Sequence, residues 1–144
     1  QTCALPILAA LQGVPYDYLG KIFTRLSRAG LVISTEGKGG GFRLARPAEL
    51  ISVLDVAQAI DGEKNMFECR EVRQRLAVFD ETPPAWVCDG PCGVRSVMDS
   101  AQQRMEEELG RHTILDLARK MYRKAPDTFQ IEVQEWISDR RSST

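Results

Sequence analysis

Residues 14–47 read VPYDYLGKIFTRLSRAGLVISTEGKGGGFRLARP, and no other stretch limits the possible folds so narrowly. Leu19, Ile22, Phe23 and Leu26 recur at i, i+3, i+4 and i+7, an apolar stripe along one side of a helix. Pro15 suits the first turn, where a missing N–H costs no intrahelical bond. Tyr16, Asp17, Lys21, Thr24, Arg25 and Arg28 fall mostly on the opposite face. Gly30 supplies the left-handed residue that closes such a helix. Leu31, Val32 and Ile33 then begin a strand, and Phe42 to Leu44 form its partner. Between them, Glu36-Gly37-Lys38-Gly39-Gly40-Gly41 makes a glycine-rich hairpin tip. Helix, strand, basic loop, strand is the order of a winged helix-turn-helix, whose helix enters the DNA major groove while the loop reaches backbone or minor groove.

Charge agrees with this reading. Residues 14–46 carry Lys21, Arg25, Arg28, Lys38, Arg43 and Arg46 against Asp17 and Glu36, a net of +4 in a chain of formal net charge -1. A basic patch on a near-neutral protein is the footprint of a phosphate-binding face. The same residues also fit a solvated helix followed by an ordinary hairpin. On the DNA reading, Tyr16, Asp17, Tyr18, Lys21, Thr24 and Arg25 face a half-site, and Arg28, Lys38 and Arg43 contact phosphate or minor groove.

The 144 residues, 43% of them apolar and 27% charged, suit one domain or a small domain with an extension. No apolar run approaches the roughly 20 residues of a membrane helix, and no secretory signal is visible, which predicts a cytoplasmic protein. There is no Ser-His-Asp set and no pair of catalytic acids. Gly37 to Gly41 lacks the Lys-Ser/Thr ending and following helix of a phosphate-binding loop. The expected class is therefore mainly α with a small β wing, and not an enzyme.

The rest of the chain divides by pattern. Gln1 to Ile7 (QTCALPI) resembles the in-frame translation of a sequencing adapter, so residues 1–7 are expected to be an artefact and Cys3 to carry no function. Leu8 to Gln12 reads as the remnant of a helix, and residues 8–62 as the winged domain lacking its first helix. Ser52 and Asp55 form a capping-box pair for a helix reaching Ile60, stopped by Gly62. Residues 63–92 form a polar, proline-broken stretch, with a short helix expected up to about Val78. Gly93 to Leu109 is a long helix with a narrow stripe of Val94, Val97, Met98, Ala101, Met105 and Leu109, which asks for a partner. Thr113 and Asp116 cap a further helix within residues 93–125. Residues 126–144 read as a docked tail. There Phe129 to Ile137 fits a strand or a helix, and disorder is expected from Asp139.

Cys69, Cys88 and Cys92 remain. Thiolates are soft ligands suited to iron–sulfur clusters, zinc or copper(I). Asp89-Gly90-Pro91 is a tight turn able to bring Cys88 and Cys92 onto one centre. Structural zinc more often uses two close ligand pairs, and only one pair is present, so a three-thiolate set with an open position better fits a labile cluster. A thiol-disulfide oxidoreductase using Cys88 and Cys92 is the enzymatic rival, but the spacing is one residue longer than Cys-x-x-Cys and no βαβ context surrounds it. Incidental thiols on a metal-free regulator are a third reading. His112, the only histidine, reads as a surface residue.

The segment YLGKIFTRLSRAGLV, the wing GGGFRLARP and the helix ISVLDVAQAIDG together resemble the Rrf-two family of bacterial winged-helix transcriptional regulators, over about residues 8–118. Some of its members are iron–sulfur sensors of the IscR, NsrR and RsrR types, and others have no cluster. The resemblance implies a homodimer paired through the long helix, double-stranded DNA as partner, and a two-iron or four-iron cluster on Cys69, Cys88 and Cys92. The run Phe67-x-Cys69-x-Glu71-Val72-Arg73-Gln74-Arg75 is most like the RsrR type. That type's histidine ligand corresponds to Gln12 here, and the IscR-type histidine corresponds to Arg95, so the resemblance leaves the fourth ligand unidentified. The wing also departs from the IscR type, with Glu36 in place of an arginine, which leaves Lys38 or Arg43 to make that contact.

Overall fold

The computed structural model describes residues 4–35, 40–79 and 82–142. The chain forms two compact units, one made of Gln1–Gly62 with Leu109–Thr144 and the other of Glu63–Glu108.

The first unit opens with α1, Leu5–Gln12, which has Pro6 in its first turn and is closed by Gly13 at φ +64°. It starts three residues before the remnant expected from Leu8, and Ile7 and Ala9 on it are buried. Residues 1–3, including Cys3, lie outside the described residues. Next comes α2, Tyr16–Arg28, with Pro15 as its N-cap. Its end is a Schellman motif. The Leu31 N–H donates to the Leu26 carbonyl and the Gly30 N–H to the Ser27 carbonyl, with Gly30 at φ +69° as the pattern predicted.

The wing follows as β1, Val32–Thr35, and β2, Gly41–Leu44. They pair antiparallel with Val32 opposite Leu44 and Ser34 opposite Phe42. The Phe23 and Phe42 rings meet at 4.6 Å between centroids, so the apolar side of α2 rests directly on the wing. Leu31, Val32 and Ile51 are buried beneath, Ile51 at 1% exposure. α2 also packs on α1 and α3.

Both predicted capping boxes form. Ser52 caps α3, Val53–Asp61, and exchanges hydrogen bonds with Asp55. Thr113 does the same with Asp116 for α5, Ile114–Tyr122. The two caps face each other in an isolated antiparallel bridge, where the Val53 N–H donates to the His112 carbonyl and the Ile114 N–H to the Ile51 carbonyl.

The expected tail is a helix instead. α6 runs Asp127–Ser142, through the stretch that read as ambiguous and through residues expected to be disordered. Phe129, Val133 and Ile137 recur every four residues and share a groove with Leu11, Met121 and Tyr122, and that common apolar lining favours helix over strand.

The second unit has little regular structure before α4, Gly93–Arg111, whose residues from Leu109 belong to the first unit. The helix expected up to Val78 is replaced by short 3-10 turns at Val72–Arg75 and Ala77–Phe79, followed by a third at Ala85–Cys88. The physical reason lies at Glu71, whose left-handed backbone, φ 44° and ψ 63°, prevents a continuous right-handed helix from Phe67. Val87 is the one buried apolar side chain described here. Phe79 and Trp86 meet edge to face at 6.0 Å. Among the described residues no helix is long and apolar enough to cross a membrane.

Candidate nucleic-acid interface and thiol site

α2 turns its apolar side to the wing and core, and its polar side to solvent. Tyr16 and Tyr18 are 54% and 58% exposed, unusual for tyrosines with no apolar cover. Asp17, Lys21, Thr24, Arg25 and Arg28 are exposed beside them. One helical face thus offers two aromatic rings, a carboxylate, a hydroxyl and three cations. Such a mixture can hydrogen-bond to base edges as well as to phosphates.

Two of these side chains have internal partners. The Thr24 hydroxyl donates to the Gly20 carbonyl at 2.9 Å, which leaves its oxygen as an outward acceptor. The Arg25 guanidinium donates to the Ile60 carbonyl at 2.5 Å, near the C-terminal end of α3, where a cation complements the helix dipole. Arg25 therefore ties α2 to α3 and is not a free reader of DNA in this conformation. Arg46, counted in the basic patch, is also engaged, 3.4 Å from the Asp55 carboxylate.

On the wing, Arg43 is exposed next to Leu44. Lys38, with Glu36 and Gly37, lies outside the described residues. Between α2 and the wing a shallow hollow is lined by Thr24, Ser27, Arg28, Ser34 and Phe42. Ser27 and Ser34 escaped the sequence reading. The signal available was their register, with Ser34 paired to Phe42 and Ser27 one turn beyond Thr24.

The three cysteines all belong to the Glu63–Glu108 unit. Each is free and half-buried. Cys69 lies in irregular chain before the Val72–Arg75 turn, Cys88 ends the Ala85–Cys88 turn, and Cys92 precedes α4, where its sulfur accepts the Arg95 N–H at 3.3 Å. Among the described residues no three His, Cys, Asp or Glu side chains are gathered as a metal set. The convergence of Cys69, Cys88 and Cys92 expected from the sequence is thus not formed here. As donors, the three soft thiols of one small unit still suit a thiophilic iron centre.

Arg73 links the pieces of this unit. Its guanidinium makes a two-pronged pair with Glu71, at 2.7 and 2.8 Å, and donates to the Gly90 carbonyl at 3.1 Å. Gly90, at φ +72°, is the central residue between Cys88 and Cys92. The Arg73 fork holds the Glu71 carboxyl below its ordinary range. In return Glu71, with smaller effects from Cys88 and Cys92, pushes the guanidinium further up. The sequence shows Glu71 and Arg73 only as part of a family run and not as a pair, because in the helix expected over this stretch residues i and i+2 do not face each other.

A family model described as Rrf2, iron-dependent transcriptional regulator, matches residues 1–120. The chain belongs to the Rrf2 family. Its relatives in this family include the protein rrf2 of Nitratidesulfovibrio vulgaris, 32% identical over 119 residues, which are 83% of this chain and 73% of that protein. The regulator IscR of Cereibacter sphaeroides is 44% identical over 54 residues, 38% of this chain and 35% of its own. Among solved structures, T. potens IscR superposes with a TM-score of 0.64 at 22% identity, covering 91% of this chain and 79% of that one. As an Rrf2 protein the chain is a winged-helix transcriptional regulator and not an enzyme, which removes the oxidoreductase rival.

Proposed function

We propose that this Rrf2 regulator is a cytoplasmic homodimer that reads a two-half-site operator with α2 and the wing, and senses redox state or nitric-oxide-type signals through an iron–sulfur cluster on Cys69, Cys88 and Cys92. The observation that carries the DNA part is the exposed face of α2, with Tyr16, Asp17, Tyr18 and Lys21 in solvent while Phe23 locks the opposite face to Phe42 of the wing. A helix held that rigidly loses little freedom on entering a groove. Tyr18, Lys21, Asp17 and the outward Thr24 oxygen address base edges, with Tyr16 beside them. Arg28 lines the Ser27–Ser34 hollow, which suits a phosphate, Arg43 offers a separate exposed cation on the wing, and Lys38 extends the contact along the wing. Arg25 joins the interface if it leaves Ile60.

The dimer reading rests on α4, where Val94, Val97 and Met105 stand exposed on the narrow stripe. The cluster reading rests on three half-buried soft donors in one unit and on the iron dependence in the family's description. When bound, a cluster would supply reversible electron and ligand chemistry, and changes at it would shift the dimer between states of different DNA affinity.

The test begins with an operator selected by this protein from a random duplex pool. Lys21→Ala should weaken binding and, with one lysine lost at each half-site, make the salt dependence of the dimer shallower by about 1.8 in the log–log slope. An unchanged slope would remove Lys21 from the phosphate contacts. Protein purified without oxygen should show visible absorption with stoichiometric iron and sulfide, lost in Cys69→Ala and Cys92→Ala. A colourless, iron-free protein would sink the cluster while leaving the DNA reading in place.

A further inference from the structure

The thiol unit contains a polar clasp of Glu71, Arg73 and the Gly90 carbonyl. Glu71 is the only described non-glycine residue in the left-handed region, and a glutamate rests there only when its surroundings hold it. What holds it is on its own side chain. The carboxylate is gripped by both prongs of Arg73, and the remaining reach of the same nitrogen goes to the Gly90 carbonyl. Arg73 is only half-exposed, in contrast with its exposed neighbours Gln74 and Arg75. The turns at Val72–Arg75 and Ala85–Cys88 pack on each other, and this contact joins the segments that carry them.

The positions of the three ends matter. Glu71 is two residues after Cys69, and Gly90 is midway between Cys88 and Cys92. The chain between these sites is long, and among its described residues only Val87 is buried. Without a tether the relative placement of Cys69 and the Cys88–Cys92 turn would be loosely defined. We propose that Arg73, locked by Glu71, is a positioning residue that holds the Cys88–Cys92 turn against the Cys69 segment, so that one soft metal centre can gather all three thiols. This rests on the reading of the cysteines as one site.

A guanidinium is suited to this task and an ammonium is not. Its planar fork serves the carboxylate with two parallel donors and keeps another donor for the carbonyl. Its charge acts the other way on a metal, because a fixed cation near the site repels a divalent ion. The two effects therefore predict opposite signs for the same substitution.

The experiment uses cadmium(II) alone as probe, followed by its thiolate charge-transfer absorption, on the full chain with its thiols reduced. Cys69→Ala, Cys88→Ala and Cys92→Ala identify the thiols engaged. Positioning predicts that Arg73→Ala weakens cadmium binding by roughly tenfold despite removing a positive charge, that Arg73→Lys does not restore it, and that Glu71→Gln, nearly the same shape, weakens it in the same direction. Tighter cadmium binding in Arg73→Ala would overturn the proposal and leave Arg73 a purely electrostatic neighbour. Amide and Arg73 side-chain resonances give a second, metal-free readout. Arg73→Ala and Glu71→Gln should shift the signals of Asp89, Gly90 and Cys92 together with that of Cys69. Unchanged signals in a folded variant would likewise refute the tether. If cadmium engages no two thiols of the native chain, the shared-site reading falls, and the tether is then judged on the resonances.

Discussion

Five of the six buried apolar residues described, Ile7, Ala9, Leu31, Val32 and Ile51, lie in the unit of Gln1–Gly62 and Leu109–Thr144. The Glu63–Glu108 unit buries Val87 and leaves Met66, Val72, Leu76, Val78 and Trp86 exposed. The first unit is built from capped helices and a paired hairpin over a shared apolar interior. The second, α4 apart, is built from single turns joined by one ring contact and a charged clasp. Burial is non-directional and accumulates over many contacts, whereas a clasp depends on a few atoms and can be undone by a change in one of them. Local openings are easiest where apolar contacts are few. The contrast therefore assigns rigidity to the surface proposed to read DNA and adaptability to the surface proposed to hold the signal.

The sharpest way to break the contrast is at Ile51. Replacing it with alanine should cost about 2–5 kcal/mol, read as a fall in the denaturant midpoint of the first unit's helices. A cost below about 1 kcal/mol, the scale of a surface change, would mean that this interior is not what holds the unit.

The capping boxes come next in size. Ser52→Ala should destabilise by about 1 kcal/mol, measured by thermal unfolding, with Ser52→Asp largely retaining the cap. Ser52 backbone donation keeps Asp55 below its ordinary carboxylate value of 3.8, helped by the Ser52 hydroxyl and Arg46. The Thr113 backbone, then its hydroxyl, does the same for Asp116. A carboxyl lowered by folding contributes stability that is fully present above its unfolded value and is lost as pH falls through its folded value. The melting temperature should thus hold to about pH 4.5 and drop below it, and Asp55→Asn with Asp116→Asn should flatten that drop. An equally steep acid transition in the double variant would place its cause elsewhere.

The smallest expected effect on folding is at Val97, which is 68% exposed. Val97→Glu should change the stability of a single chain by no more than about 0.5 kcal/mol. If α4 pairs with a second copy, the same change should still weaken self-association clearly in sedimentation equilibrium. A self-association constant equal to the native one would remove this stripe from any dimer seam.

Much of the first unit was legible because its signals are local. Gly30 closing α2, and the Ser52–Asp55 and Thr113–Asp116 pairs, are set by atoms three or four residues apart, so spacing alone reveals them. The wing was legible from its glycines and flanking β-branched residues. α6 was not, since Phe129, Ile131, Val133, Trp136 and Ile137 satisfy both periods, and the choice is made by the groove of Leu11, Met121 and Tyr122, distant in sequence. The turns after Glu71 were hidden for the same reason, because the backbone of one residue and a carbonyl at Gly90 decide them. Of the candidate interface, the exposed face of α2 was readable from periodicity. The diversion of Arg25 to Ile60 and of Arg46 to Asp55 was not, because formal charge counts cations without asking which are already matched.

The bridge between Ser52 and Thr113 gives the chain the topology of a closed circuit. Everything from residue 53 to residue 112 departs from one spot and comes back to it, and closing so long a circuit costs entropy that grows only slowly with its length. A single protease nick within residues 63–108 would therefore leave two fragments, each carrying half of the first unit. Those halves should remain a complementing pair, seated on Ile51 and its flanking backbone hydrogen bonds with no peptide bond between them, and should co-elute under native conditions while separating in denaturant.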